Sequence, residues 1–285
     1  MDYVTSQRLA RYYDLYQNID VTFTKEVINA IDLIPQQVYI KTRDGQWPCV
    51  INSASLVGAK VIAGIKSGLY AKINQGNNSV SLRFAFLSQE KKEALTFFVS
   101  AKVLGMNQYA DSPDLILISI QYTQRAPDDL IERLGSLLEA NVNFAKRKEE
   151  RITINTESMQ KLGIIRKECI LFVQETPYRC ILRDVSFSGA KILMAGDSSF
   201  LLNQPSILKI DFDDSRAAIK LLGKIVRAEE IESGKNIVAL SIAYEEKTVP
   251  MLYKMHINTY LTQQRRIQIQ RTPNEDDSQK SETDN

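Results

Sequence analysis

Two groups of residues in this 285-residue chain have the types and spacing to hold an anion. The first is Arg147-x-x-x-Arg151, inside the run Ala-Lys-Arg-Lys-Glu-Glu-Arg. A guanidinium is always charged and presents a rigid fork of donors, so it grips paired oxygens and stacks on flat rings. The second is Asp184-x-Ser186-x-x-Gly189. Here a carboxylate can accept N–H donors, and a serine hydroxyl can brace a turn or reach a phosphate oxygen. The glycine allows either φ > 0 or a close backbone approach. Neither group is specific alone. Among sixteen arginines, chance supplies about one R-x-x-x-R, and a second does occur at Arg179 and Arg183. KRKEER also reads as a solvated helix end with i,i+4 ion pairs, and DVSFSG as a plain polar turn.

An internal repeat gives the two groups context. Residues 180–193, CILRDVSFSGAKIL, lie over residues 49–62, CVINSASLVGAKVI, at an offset of 131. The earlier copy keeps the turn as Ser53, Ser55 and Gly58 but has no carboxylate. The same offset carries Arg147 and Arg151 back to Tyr16 and Asp20. One copy therefore lacks both arginines and the acid together, which marks the three as a unit. Further along, SLRFAF (81–86) matches ILKIDF (207–212) and SIQY (119–122) matches SIAY (241–244), so the second copy has shorter loops. Two domains of one topology follow from this pattern.

The elements that must position these residues are short strands. Each half alternates apolar and polar residues between turn signals such as Asp44-Gly45 and Glu175-Thr176-Pro177. The alternation predicts strands near 38–43, 47–52, 57–63, 80–88, 95–106 and 114–123. In the second half it predicts them near 168–174, 178–184, 189–195, 206–213, 217–229 and 236–244. The expected fold class is mainly β: two tandem six-stranded barrels, each followed by a helix. The first helix opens at Pro127-Asp128-Asp129 and carries Leu130, Leu134, Leu137 and Leu138 at helical spacing. The second follows Pro250 with Leu252, Met255, Thr259 and Tyr260 on one side. A third, at the N-terminus, has a stripe of Leu9, Tyr12, Tyr13 and Tyr16.

With the arginine pair before one barrel and D-x-S-x-x-G at its second-to-third strand turn, residues 147–244 resemble the PilZ family of bacterial cyclic di-GMP receptors. Residues 20–123 are similar to the degenerate PilZ-like domains that precede the receptor module in two-domain members. The resemblance implies cyclic di-GMP as ligand, bound by Arg147, Arg151, Asp184, Ser186 and Gly189. It also suggests that Lys146 influences whether one or two ligand molecules bind; Arg183 is a candidate for the pocket rim. The chemistry suits this ligand, whose phosphodiesters and guanine O6/N7 edges fit arginine forks. Guanine N1 and N2 are donors that a carboxylate accepts and that adenine does not offer in that arrangement. The domains then read as 1–127, a degenerate PilZ-like domain; 128–151, a helical linker ending in the arginine arm; 152–271, a PilZ domain; and 272–285, a disordered acidic tail. Ligand binding is expected to order residues 146–151 and change how the two barrels meet. By family resemblance the output concerns motility or virulence, through an unidentified flagellar or regulatory protein partner.

Composition limits the alternatives. Hydrophobic residues at 44% and charged residues at 25% are ordinary for a globular protein. No apolar run is long enough to span a bilayer and no signal-peptide pattern opens the chain, so no membrane insertion and a cytoplasmic location are expected. Three cysteines, Cys49, Cys169 and Cys180, fit that compartment and form no disulfide framework or zinc pattern. With His256 the sole histidine, there is no triad and no multi-histidine metal site. Neither a catalytic site nor a cofactor is expected. The net charge of +2 hides a tail, 272–285, at −4, leaving +6 on residues 1–271. That positive body, with Tyr39, Trp47 and Tyr178, leaves open a single-stranded nucleic-acid-binding barrel as the alternative function.

Overall fold

A computed structural model describes residues 6–271 except 76, 88–93, 111, 197–199, 214–217 and 233–236. The acidic tail expected at 272–285 lies outside the described residues. The chain divides into two compact units between Glu139 and Ala140.

The first unit opens with α1 (Ser6–Tyr16) and continues through β1 (Val21–Thr22), α2 (Lys25–Ala30), β2 (Tyr39–Thr42), β3 (Gly45–Pro48), β4 (Val50–Ala54) and β5 (Gly58–Gly64). It then runs through α3 (Leu69–Gln75), β6 (Ser79–Leu87), β7 (Ala94–Gln108), β8 (Leu115–Tyr122) and the first part of α4 (Asp128–Lys146), whose residues from Ala140 on belong to the second unit. Its strands form one antiparallel sheet in the order β1-β4-β5-β8-β7-β6-β2-β3. The sheet counts eight strands because the segment equivalent to β11 of the second unit, residues 45–54, is interrupted at Cys49, for a local reason. The N–H of Cys49 donates to Val38 O at 3.2 Å, but the N–H of Val38 turns back to Pro35 O at 3.3 Å. The reciprocal ladder bond is missing, and one strand becomes β3 and β4.

The second unit contains β9 (Ile152–Thr153), α5 (Thr156–Leu162), β10 (Glu168–Val173), β11 (Thr176–Val185), β12 (Gly189–Ala195), β13 (Pro205–Ile210), β14 (Ile219–Glu232), β15 (Ile237–Tyr244) and α6 (Met251–Arg271). Its order is β10-β13-β14-β15-β12-β11-β9, and β10 also pairs with β11, closing a six-stranded barrel with β9 as an extra edge. β11 is long enough to serve both neighbours: residues 176–181 pair with β10 and residues 181–185 with β12. Alternate side chains such as Leu171, Leu182, Ile192, Leu208, Leu221 and Leu240 fill the barrel, with 1% or less exposed.

The helices cover these sheets with faces that the sequence locates unevenly. In α1, Leu9, Tyr12 and Tyr16 are buried, as their spacing suggests. Tyr13 is only half-buried and has Arg125 over its ring at 5.3 Å. Tyr12 lies against Gly135 of α4, where an added Cβ would come within 2.3 Å of its ring. Its hydroxyl donates to the buried Glu139 at 2.9 Å. In α6 the buried stripe is Tyr253, Ile257 and Leu261; of the expected Leu252, Met255, Thr259 and Tyr260, Leu252 and Tyr260 pack partly buried at its side. Tyr253 is drawn inside because its hydroxyl has a buried carbonyl to serve, described below. His256 stacks on Phe212 with ring centroids 4.4 Å apart.

Candidate functional site

The Asp184–Gly189 segment is the β11–β12 turn, and most of its polar atoms are spent on its own shape. The Ser186 N–H donates to Gly189 O at 2.8 Å. The Ser186 hydroxyl accepts from the N–H groups of Gly189 at 3.1 Å and Ser188 at 3.3 Å, and it is fully buried. Of the two roles expected for Ser186, this geometry is that of a turn brace. Gly189 likewise resolves to close approach: an added Cβ would sit 2.3 Å from the Ile242 carbonyl oxygen on β15, and its φ is not left-handed. Phe187, between them, points into the barrel and meets Phe144 edge-on at 5.8 Å. The Ser186 carbonyl accepts the Tyr253 hydroxyl at 2.8 Å, and that hydroxyl lies 3.4 Å from Tyr244 Oη. Burial pushes both phenols well above their ordinary pKa, so they stay neutral hydrogen-bonding groups.

The arginine arm is laid onto this turn by three fixings. The Arg147 N–H donates to Asn143 O at 2.8 Å, extending the last turn of α4 past Lys146, which is exposed. The Lys148 carbonyl accepts the Ser188 hydroxyl at 2.8 Å, while Lys148 Nζ pairs with Glu246 at 2.7 Å. That pairing holds the Glu246 carboxyl below its ordinary pKa. Glu150 pairs with Arg265 of α6 at 2.9 Å. The chain then enters β9, which pairs with the end of β11 so that Thr153 faces Asp184 and Ile152 faces Val185.

This register sets the key contact. Arg151, one residue before β9, reaches back to Asp184, with its Nη1 2.5 Å from Oδ1. The Arg151 side chain is 44% exposed and that of Asp184 20%. A bulge in β11 between Leu182 and Asp184 interrupts the ladder to β12 and re-aims the strand end. Arg183 occupies the bulge; its side chain is exposed and its carbonyl accepts the Ile154 N–H at 2.8 Å. Lys191, opposite Asp184 on β12, turns instead to Glu229 at 3.3 Å. Arg151, Asp184, Ser186 and Gly189 are thus gathered at one end of the barrel. Arg147 stands half-buried four residues earlier on the same arm. A cavity of about 780 Å³ on the same barrel reaches Ile181, three residues from Asp184, and also takes in Arg179 and Leu193.

Sequence reasoning missed Ser188, Glu150, Arg265 and Tyr253. Ser188 was within reach, because the 131-residue offset sets it over Val57, which has no hydroxyl. The others depend on where α6 crosses the arm, which no spacing encodes. Among the described residues, no three His, Cys, Asp or Glu side chains gather to hold a metal ion. The aromatics behind the nucleic-acid alternative are engaged within the fold: Trp47 Nε1 donates to Ser67 O at 2.9 Å, and Arg83 covers the Tyr39 ring at 5.6 Å. Tyr178 packs against the barrel core.

The C-terminal unit is thus a closed barrel with an acid on its β11–β12 turn and an arginine laid against that acid from a preceding arm. Residues 7–141 match the PilZN3 domain and residues 145–263 the PilZ domain. A Treponema denticola protein described as a cyclic di-GMP binding protein is 49% identical over 263 residues, covering 92% of this chain and 84% of that one. The chain belongs to the PilZ family, with a PilZN3 domain ahead of its PilZ domain. Similar solved structures include Borreliella burgdorferi PlzA in complex with c-di-GMP, at 22% identity and TM-score 0.41, covering 90% of this chain and 98% of that one. The PilZ domain of Escherichia coli YcgR with c-di-GMP has 12% identity and TM-score 0.30, covering 44% and 96%. No described helix is long and apolar enough to cross a membrane.

Proposed function

We propose that the C-terminal barrel is a cyclic di-GMP receptor domain and that the chain is an effector rather than an enzyme. The observation that carries this reading is the Arg151–Asp184 pair at the foot of the arm. The 49% identical relative, described as a cyclic di-GMP binding protein, supports it. In the bound state Arg147 and Arg151 take phosphate oxygens or guanine O6 and N7, and their planes stack on the purines. Asp184 accepts from guanine N1 and N2. Ser186 and Gly189 act indirectly, by fixing the turn that aims Asp184. Lys146, exposed at the end of α4, is available to a second ligand molecule.

In this reading residues 152–271 bind together with the arginine arm that ends the connecting segment 128–151, and residues 1–127 do not. Binding completes the ordering of an arm already held by the fixings described above and shifts the arrangement of the domains toward a form that a downstream protein partner reads. A ligand shifts such an equilibrium only as far as its affinities for the two arrangements differ. Calorimetric titration of cyclic di-GMP into wild type and an Arg147→Ala/Arg151→Ala variant is the test. Tight binding by wild type, lost in the variant and absent with cyclic di-AMP, is expected; equal affinity in both proteins refutes the assignment. Solution scattering that does not change on saturation would remove the rearrangement while leaving the binding site intact.

A further inference from the structure

The arm is fixed to α6 by residues outside both signature motifs, and their placement follows from the helix itself. Tyr253, Ile257 and Leu261 form the buried stripe of α6 at intervals of four. The next position on that stripe is Arg265, half-exposed, and it meets Glu150 at 2.9 Å. One stretch earlier, Asn143 Nδ2 donates to the buried Asn258 Oδ1 at 2.6 Å, and Lys254 lies over the Phe144 ring at 4.2 Å. From Asn143 to Glu150 and from Asn258 to Arg265 are equal steps of seven residues, roughly 10 Å along α6. The chain leaving α4 therefore runs beside α6 and is tied to it at both ends of that stretch. Glu150 directly precedes Arg151, so this is the last tie before the guanidinium that meets Asp184.

We infer that Glu150 and Arg265 are a positioning pair that holds the arginine arm in ligand-receiving geometry; this rests on the receptor reading above and deepens it. An arm already held loses less conformational freedom when ligand binds, and that difference appears as affinity. The sign of the effect separates this role from simple electrostatics. On charge alone, Glu150 beside Arg151 opposes an anionic ligand, so neutralising it would tighten binding. As a positioning residue, its removal weakens binding.

The test uses the full chain with Glu150→Gln, Arg265→Gln, the double variant, and the exchanged pair Glu150→Arg/Arg265→Glu. Each single variant is expected to weaken cyclic di-GMP binding about 2- to 5-fold, the range of a half-exposed ion pair. The double variant is expected to be no weaker than either single, and the exchanged pair to recover most of the loss. Tighter or unchanged binding by Glu150→Gln overturns the inference, as does a loss confined to Arg265→Gln, which would make Arg265 a direct ligand contact. Amide hydrogen exchange at residues 147–151 in the ligand-free protein gives a second readout and is expected to speed up in both single variants. If wild type binds no cyclic di-GMP, the receptor reading fails, and exchange rates still decide whether the pair holds the arm. Unchanged exchange in that case overturns the pair's role too.

Discussion

The turn at Ser53–Gly58 and the turn at Asp184–Gly189 hang on the same backbone bonds and differ in the charged residues on and around them. In the first, Ser55 N–H donates to Gly58 O at 2.9 Å, Val57 N–H to the Ser55 hydroxyl at 3.2 Å, and Tyr122 N–H to Val57 O at 2.9 Å. In the second, the corresponding bonds at Ser186, Ser188 and Tyr244 are 2.8, 3.3 and 2.8 Å. Even the bulge is shared: Phe23 N–H reaches Asn52 O at 2.9 Å as Ile154 N–H reaches Arg183 O at 2.8 Å. The side chains divide them. Asp20, standing where the other turn has Arg151, accepts the Ser53 hydroxyl at 3.1 Å and pairs with Lys60 at 2.8 Å. Tyr16, in the place of Arg147, is buried. Serine and glycine in this motif therefore specify a backbone, and the ligand contacts proposed above fall to the arginines and the aspartate.

The largest expected break in the comparison comes from giving the second turn the first turn's residue. Arg151→Asp sets a carboxylate against Asp184 and removes a charged hydrogen-bond donor. Titration is expected to show cyclic di-GMP affinity down by at least about 100-fold, consistent with charged hydrogen bonds of about 1.5–3 kcal/mol plus repulsion. The glycines sharpen the opposite point, that the scaffold is common. Gly58→Ala and Gly189→Ala force a Cβ within 2.6 and 2.3 Å of a strand carbonyl oxygen. Urea unfolding is expected to show each unit destabilised by about 1–3 kcal/mol, with ligand affinity spared in the first variant only.

The tyrosines beneath the turns differ by about 1 kcal/mol or less, with contrasting outcomes expected. Tyr253 donates to Ser186 O, whereas the residue nine positions after Tyr122 is Ile131, and the buried Tyr122 hydroxyl has no hydrogen-bond partner among the described residues. Tyr253→Phe is expected to cost about 1 kcal/mol, and Tyr122→Phe to be neutral or stabilising, in thermal and urea unfolding. Ser188→Val, which copies Val57, removes one hydroxyl bond to the arm and is expected to weaken ligand binding several-fold, about 1 kcal/mol. Val57→Ser is expected to change nothing in the same titration. The smallest effect concerns the equivalent thiols Cys49 and Cys180, pushed up to about 12 and about 11 by burial. Both stay protonated at pH 8, so iodoacetamide is expected to label neither until its unit unfolds or the pH approaches those values.

The duplication, the strands and the arm were legible because alternation and offset are linear properties of a chain. Strands expected at 80–88 and 189–195 form at Ser79–Leu87 and Gly189–Ala195. The interruption of residues 45–54 at Cys49 was not legible, since it turns on one N–H at Val38 choosing Pro35 over Cys49. Two-residue strands such as Ile152–Thr153 carry too little pattern to be seen, yet that strand is what brings Arg151 to Asp184. The face of α6 was placed only in part: Leu252 and Tyr260 pack against the core, while Tyr253 is also tied there by a hydrogen bond to a carbonyl far away in sequence. At the site, the residue types were readable. Which serine reaches a partner strand and which braces its own loop was decided only by three-dimensional distance.

The contact between Arg151 and Asp184 has a consequence for selectivity. With a carboxylate already seated on its guanidinium, the free protein offers no bare cation there for stray phosphates to collect on. An arriving anion must evict an internal rival, and a simple anion leaves that evicted acid with nothing but water in exchange. A guest bearing both acceptor oxygens and a donor edge gives each separated residue a new companion in one event. Under the receptor reading proposed above, the pair works as a lock that a molecule with two complementary faces opens more readily than a merely charged one.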